Sequence, residues 1–162
     1  MDPIGRPLLN QVNLTVCDMD ASIAFYRRLG LDVQPATSPD WAPHHATALL
    51  PGGMRLEIDT IACARQWNPR GRHVPGGGNV LFFGVPSRRS VDDLFASMTR
   101  AGYRAQKEPE DGFWGARYAI LEDPDSNPIG IMSPIDPALR KPPPPAPGSA
   151  KGMPQRRPFP AA

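Results

Sequence analysis

The sequence predicts an α+β fold of two like βαβββ modules facing one cavity, and three observations point to it. Segments 10–59 and 79–134 each read as strand, helix, then strands, with the helix ends in step. Arg28-Leu29-Gly30-Leu31-Asp32-Val33 is echoed by Arg100-Ala101-Gly102-Tyr103-Arg104-Ala105. Leu56-Glu57-Ile58 returns as Ile129-Gly130-Ile131, so the second copy carries glycine where the first carries a carboxylate. The organisation expected is one domain over 1–135, with modules at about 8–60 and 78–134, and a proline-rich basic tail over 136–162.

The first module opens with Gln11–Val16, whose polar–apolar alternation marks a strand wet on one face. Asp18 is placed to cap a helix. Met19, Ile23, Tyr26 and Leu29 fall on one face of it, and Gly30 ends it. A short strand over Asp32–Pro35 follows. His45–Leu50 and Met54–Asp59 then form a hairpin about Pro51-Gly52-Gly53. Segment 61–78, rich in Arg, Gly and Pro, reads as a crossing loop containing Trp67.

The second module begins with the apolar strand Asn79–Val85. Ser90 and Asp93 resemble a capping box, Val91, Leu94, Phe95 and Met98 supply the apolar stripe, and Gly102 closes the helix. Ala116–Glu122 and Pro128–Met132 make the last hairpin around Asp123-Pro124-Asp125-Ser126-Asn127, strong turn chemistry.

Composition narrows the function classes. The net charge of +2 divides into +5 on the tail from Ala138 onward and −3 on the rest, so the body gives no electrostatic reason to expect nucleic-acid binding. No apolar run is long enough to cross a bilayer, and the N-terminus lacks the charged start and apolar stretch of a signal peptide. Two cysteines, Cys17 and Cys63, form no disulfide framework and suit a reducing cytoplasm; Cys17 reads as a small buried side chain. The tail, with Pro142 to Pro145 in a row, is expected to stay extended and solvated. His73 reads as a solvated loop residue. Gly76-Gly77-Gly78 is followed by no helix and so makes no phosphate loop.

Strand alternation sorts the faces. Val12, Leu14 and Val16 go under the first helix with Leu56 and Ile58, leaving Gln11, Asn13, Glu57 and Asp59 on the open face. A three-residue hairpin turn sets Thr47 opposite Glu57 and brings His45 to the same face; a two-residue turn would bring His44 there instead, and the first is favoured because it leaves Ala46, Ala48 and Leu50 under the helix. In the second module Asn79, Leu81 and Phe83 are assigned to the cavity, with Met132, Tyr118 and Trp114 as further lining. One wall would then be polar and the other apolar, which suits a ligand with a hydrogen-bonding edge and a flat or greasy body.

Gln11-Val12-Asn13-Leu14-Thr15-Val16-Cys17-Asp18 through Ser22-Ile23-Ala24-Phe25-Tyr26-Arg27-Arg28-Leu29-Gly30 resembles the opening of the vicinal oxygen chelate superfamily. That superfamily takes in glyoxalase I, bleomycin-resistance proteins, fosfomycin-resistance enzymes and extradiol dioxygenases. The Asp123–Asn127 turn resembles the family's closing turn, and the likeness covers about residues 8–135. It implies paired βαβββ modules forming a half-barrel cavity, and a homodimer. It also implies a divalent metal held by four residues, which match Gln11, Glu57, Asn79 and Gly130 here.

Gly130 has no donor, and two amides with one carboxylate make a poor site for zinc or nickel. The reading drawn is therefore a metal-independent small-molecule-binding protein, similar to the bleomycin-resistance branch and sequestering a planar or amphipathic compound. Its ligand-binding residues are Gln11, Asn13, His45, Thr47, Glu57, Asn79, Leu81, Phe83, Trp114, Tyr118 and Met132. Glu57 is also the catalytic candidate. The alternative is a lyase, isomerase or dioxygenase of the glyoxalase I type. It would use zinc, nickel, iron or manganese held by Gln11, His45, Glu57 and Asn79.

Overall fold

The computed structural model describes residues 9–70 and 79–144. His73, the Gly76–Gly78 run and the tail beyond residue 144 lie outside the described residues. Two four-stranded sheets share one topology. In the first, β1 (Gln11–Val16), β2 (Val33–Pro35), β3 (His45–Leu49) and β4 (Arg55–Thr60) run in the order β1-β4-β3-β2. In the second, β5 (Leu81–Gly84), β6 (Ala105–Asp111), β7 (Arg117–Glu122) and β8 (Pro128–Met132) run in the order β5-β8-β7-β6. The first strand of each sheet pairs parallel with the last, and the other pairs are antiparallel. The paired α+β modules expected from the repeat are present.

The helix of the first module, α1 (Met19–Arg28), starts as read: Asp18 Oδ1 accepts from the Ala21 amide at 2.9 Å. Gly30, at φ +106°, gives the left-handed turn that ends it, and Gly102, at φ +93°, does the same for the second module's helix. A second helix, α2 (Ile61–Trp67), stands where the sequence reads as a crossing loop. It has seven residues and no apolar stripe of its own. Thr60 Oγ1 caps it by accepting from the Cys63 amide at 3.3 Å, and it packs on β4 and β1. Trp67 is thus the last residue of a helix.

Two further expectations need correction, and one strand was not anticipated. The helix α3 (Arg88–Arg100) is capped by Ser87, whose Oγ accepts from the Ser90 amide at 3.1 Å, so Ser90 lies inside the helix. The polar strand β6 carries Pro109, which a strand tolerates at a sheet edge; β6 is that edge, and its register slips on either side of Lys107. Cys17 is exposed, and the buried thiol is Cys63.

One apolar core joins the modules. Phe25, Tyr26, Leu56 and Ile58 from the first share it with Val91, Met98, Leu121 and Ile129 from the second. The rings of Phe25 and Tyr103 meet edge-to-face at 4.8 Å. The turn before β8 completes the joint. Asp123 Oδ1 accepts from the amides of Asp125 and Asn127, and its Oδ2 accepts from the buried Tyr26 hydroxyl at 2.8 Å. Burial, and then the charge of Asp123, raise the Tyr26 phenol far above its ordinary value. Residues at the start of the expected tail are also bonded to the second module. Asp136 donates its amide to Gly115 O at 3.0 Å, Lys141 donates to Phe113 O at 2.8 Å, and Pro137–Leu139 form a turn of 3₁₀ helix.

Candidate functional site

The first hairpin folds in the register expected. Thr47 pairs with Glu57, Ala48 with Leu56 and His45 with Asp59, while the Leu50 amide bonds Met54 O at 2.8 Å across the Pro-Gly-Gly turn. Ala46, Ala48, Leu56 and Ile58 are buried under the helix. That leaves His45, Thr47, Glu57 and Asp59 on the open face, beside Gln11 and Asn13 of β1.

These side chains close a ring of polar contacts. Arg55 Nη2 donates to Gln11 Oε1 at 2.9 Å, Gln11 Nε2 to Asn13 Oδ1 at 2.8 Å, and Asn13 Nδ2 to Asp59 Oδ2 at 3.0 Å. Asp59 Oδ1 meets His45 Nδ1 at 2.8 Å. His45 Nε2 lies 3.3 Å from Thr47 Oγ1 and 3.5 Å from Glu57 Oε2. Thr47 Oγ1 donates to Glu57 Oε2 at 2.5 Å, and Arg55 Nε sits 3.2 Å from Glu57 Oε1. The two carboxylates are buried, Glu57 at 6 % and Asp59 at 2 % exposure, and each is hydrogen-bonded or ion-paired through both oxygens. Burial of two acids is tolerated only with such partners.

Sequence reasoning left Asp59 out of the site and missed Cys63 altogether. Cys63 reaches the site because α2 turns it back onto β4: Sγ donates to Asp59 Oδ1 at 3.2 Å. Burial first, and then Asp59, push this thiol up to about 11. The signal for it was Thr60, a capping residue three positions ahead, but seven residues carry too little periodicity to announce a helix. A cavity of about 370 Å³ opens over these groups, with Trp41 and Trp67 at its sides. Its described lining comes from the first module and α2, with no residue of the second module. A larger groove of about 780 Å³ lies where β1 runs into α1; there Asp18 is engaged in capping the helix, and the Cys17 amide is tied to Asp125 at 2.9 Å.

The second sheet presents a different open face. The β5–β8 register pairs Leu81 with Ile129 and Phe83 with Ile131, so Leu81 and Phe83 pack into the core. This corrects their assignment to the cavity by one residue: Phe82, 47 % exposed, holds the open face instead. Phe82 pairs with Gly130, and a Cβ on Gly130 would clash with the Phe82 ring carbons Cδ1 and Cε1. Tyr118 pairs with Met132 on the same face as Phe82. The Tyr118 ring lies 6.4 Å from Phe82 and 4.8 Å from Trp114. Asn79 is exposed ahead of β5 and lines no part of the first-sheet cavity.

The register also decides which residues stand at the four metal-binding positions the resemblance implies. Glu57 pairs with Asn13, two residues after Gln11, and Gly130 pairs with Phe82, two residues after Val80. The position matching Gln11 is therefore Val80, not Asn79. Val80 and Gly130 offer no donor, and Phe82 fills the space above Gly130. These four residues do not fit a metal.

The family model described as Glyoxalase/Bleomycin resistance protein/Dioxygenase superfamily matches residues 8–131. Among solved structures, the chain resembles a glyoxalase/bleomycin resistance protein/dioxygenase family enzyme from Burkholderia phytofirmans at 22 % identity and TM-score 0.66, covering 78 % of this chain and 98 % of that one. It resembles a lactoylglutathione lyase from Agrobacterium tumefaciens at 19 % identity and TM-score 0.60, covering 80 % and 95 %. A further Agrobacterium tumefaciens protein, solved in solution, is 26 % identical with TM-score 0.62, covering 79 % and 98 %. A search of curated proteins finds no match. Likeness at these identities speaks for the fold, and the family match extends over both modules. The chain belongs to the glyoxalase/bleomycin resistance protein/dioxygenase superfamily.

Proposed function

We propose that the protein binds a planar or amphipathic small molecule and sequesters it, without a metal at the four positions its family uses. The observation that carries this reading is the pair Val80 and Gly130, which removes half of the family's donors and sets the Phe82 ring over one of the vacated positions. Two walls of opposite character support it further. The first-sheet cavity offers donors and acceptors from Gln11, Asn13, His45 and Glu57. The second sheet offers Phe82, Tyr118, Trp114 and Met132, an apolar face with π-surfaces for a flat ring.

In this reading two copies associate, so that the apolar face of one covers the polar cavity of the other. The free thiols Cys17 and Cys63 suit the reducing cytoplasm. Among the described residues no helix is long and apolar enough to cross a membrane.

A thermal-shift screen of planar natural products, run with and without chelator, tests the reading. Stabilisation by such a compound that survives chelator is expected; binding seen only with added divalent metal overturns it. Glu57 favours a second reading, acid–base catalysis, because its carboxylate is buried at the cavity floor and held by the Thr47 hydroxyl. Under that reading Glu57→Gln abolishes turnover and leaves ligand binding intact. Metal-dependent lyase, isomerase or dioxygenase chemistry gains nothing from valine and glycine at two of the family positions.

A further inference from the structure

We propose that the first-sheet cavity holds one divalent transition-metal ion, zinc by preference, through His45, Asp59 and Cys63, a donor set displaced from the family's own positions. This goes beyond the sequestration reading and does not depend on it, since the ion needs no organic ligand and no second module; the two share the cavity and His45, and titration without any organic ligand separates their failures.

The first argument is the donors. His45, Asp59 and Cys63 are the one group among the described residues whose nitrogen, oxygen and sulfur donors converge, with all three atoms within 4.8 Å of one another. His45 Nδ1 to Asp59 Oδ1 is 2.8 Å and Cys63 Sγ to Asp59 Oδ1 is 3.2 Å. Tetrahedral zinc with ligand bonds of about 2.0–2.3 Å sets its donors about 3.4 Å apart, so His45 and Cys63 must each draw back from Asp59 while staying within the 4.8 Å that spans the three donors, side-chain movements of well under about 2 Å. Protons that now bridge these atoms would give way to the metal. Imidazole, thiolate and carboxylate together suit zinc and exclude magnesium or calcium, which take oxygen shells.

The second argument is the outer shell, which is already built. A ligating histidine characteristically gives its other ring N–H to a carboxylate or similar acceptor, and a ligating carboxylate is itself hydrogen-bonded. With Nδ1 on the metal, His45 turns Nε2 to Glu57 Oε2 at 3.5 Å and Thr47 Oγ1 at 3.3 Å. Asp59 uses Oδ1 for the cluster while Oδ2 accepts from Asn13 at 3.0 Å. Both far atoms are thus oriented by neighbours that fix the near ones. The third argument is access. Asp59 and Cys63 are buried, but the cluster lines the cavity, which leaves room for a water or ligand oxygen in the fourth position.

The test is cobalt(II) and zinc(II) titration of the full-length protein with no organic ligand present. The expected result is one equivalent of cobalt per chain with a thiolate-to-cobalt charge-transfer band, displaced by zinc. His45→Ala should lose stoichiometric binding, Cys63→Ser should lose the band, and Glu57→Gln should weaken affinity by about 10–100-fold. Far-UV circular dichroism checks that each variant is folded. Should Cys63→Ser not fold, X-ray absorption on the zinc-loaded wild type decides: one sulfur at about 2.3 Å supports the site. A shell of nitrogen and oxygen alone overturns it, as does an absence of stoichiometric binding or binding that folded His45→Ala retains unchanged.

Discussion

The two sheets repeat each other strand for strand, yet their open faces share almost no chemistry. On the first, Glu57 and Asp59 draw in Gln11, Asn13, His45, Thr47 and Arg55, and each of these side chains is hydrogen-bonded or ion-paired to a neighbour. On the second, Gly130 stands at the Glu57 position, and Phe82, Tyr118 and Trp114 spread over it. The register is common to both because the buried sides are alike, with leucine and isoleucine filling both under their helices. What the comparison teaches is that the buried face fixes the architecture and leaves the open face free to diverge. A carboxylate at Glu57 demands partners; a glycine at Gly130 admits a ring.

The largest expected effect comes from forcing the second face to resemble the first. Gly130→Glu drives a side chain into the Phe82 ring and adds a carboxylate without partners, and should cost about 3 kcal/mol or more in urea unfolding. The double variant with Phe82→Ala should recover part of that loss; no recovery would mean that the strain lies elsewhere. Asp59→Ala strips the first face of the acceptor shared by Asn13, His45 and Cys63, and should cost about 2–3 kcal/mol in the same measurement.

The joint between the modules comes next. Tyr26→Phe removes a buried hydrogen bond to a charged acceptor, which predicts a loss of about 1.5–2 kcal/mol at neutral pH. The phenol of the folded protein is raised above that of the unfolded chain, so its contribution is whole below about pH 10 and falls as pH climbs beyond that. The stability gap between wild type and Tyr26→Phe should accordingly be widest below about pH 10 and narrow above it. A gap that widens with pH would contradict the assignment. The smallest effect is Trp41→Ala. This exposed residue at the cavity's side should leave stability within about 0.5 kcal/mol, while any compound found in the thermal-shift screen loses affinity.

Much of this comparison was legible beforehand, and the misses have physical causes. β1, β3 and β4 alternate polar and apolar residues, so a period of two places Gln11 and Glu57 on one face, while the length of the hairpin turn decides between His45 with Thr47 and His44, and the structure has His45. β5 has no such alternation. Val80, Leu81, Phe82 and Phe83 form an apolar run whose phase cannot be read from hydropathy, and the choice of Asn79, Leu81 and Phe83 for the cavity was off by one residue. β6 was hidden by its polarity and Pro109, features that an edge strand accommodates and a propensity reading discounts. Ser87 lay three residues ahead of a second serine, and the backbone chose the earlier one as cap.

The sequence by itself determined the two modules, their order of elements, the helix caps at Asp18, Gly30 and Gly102, and the polar face of the first sheet. All of these rest on local periodicity, turn chemistry and short-range hydrogen bonds. Tertiary structure alone decided that Cys63 joins His45 and Asp59, that Phe82 occupies the space over Gly130, and that Tyr26 locks to Asp123 across the modules. Each of those contacts joins separate elements of the fold. No period or propensity encodes them, because they follow from which surfaces pack together once the core has formed.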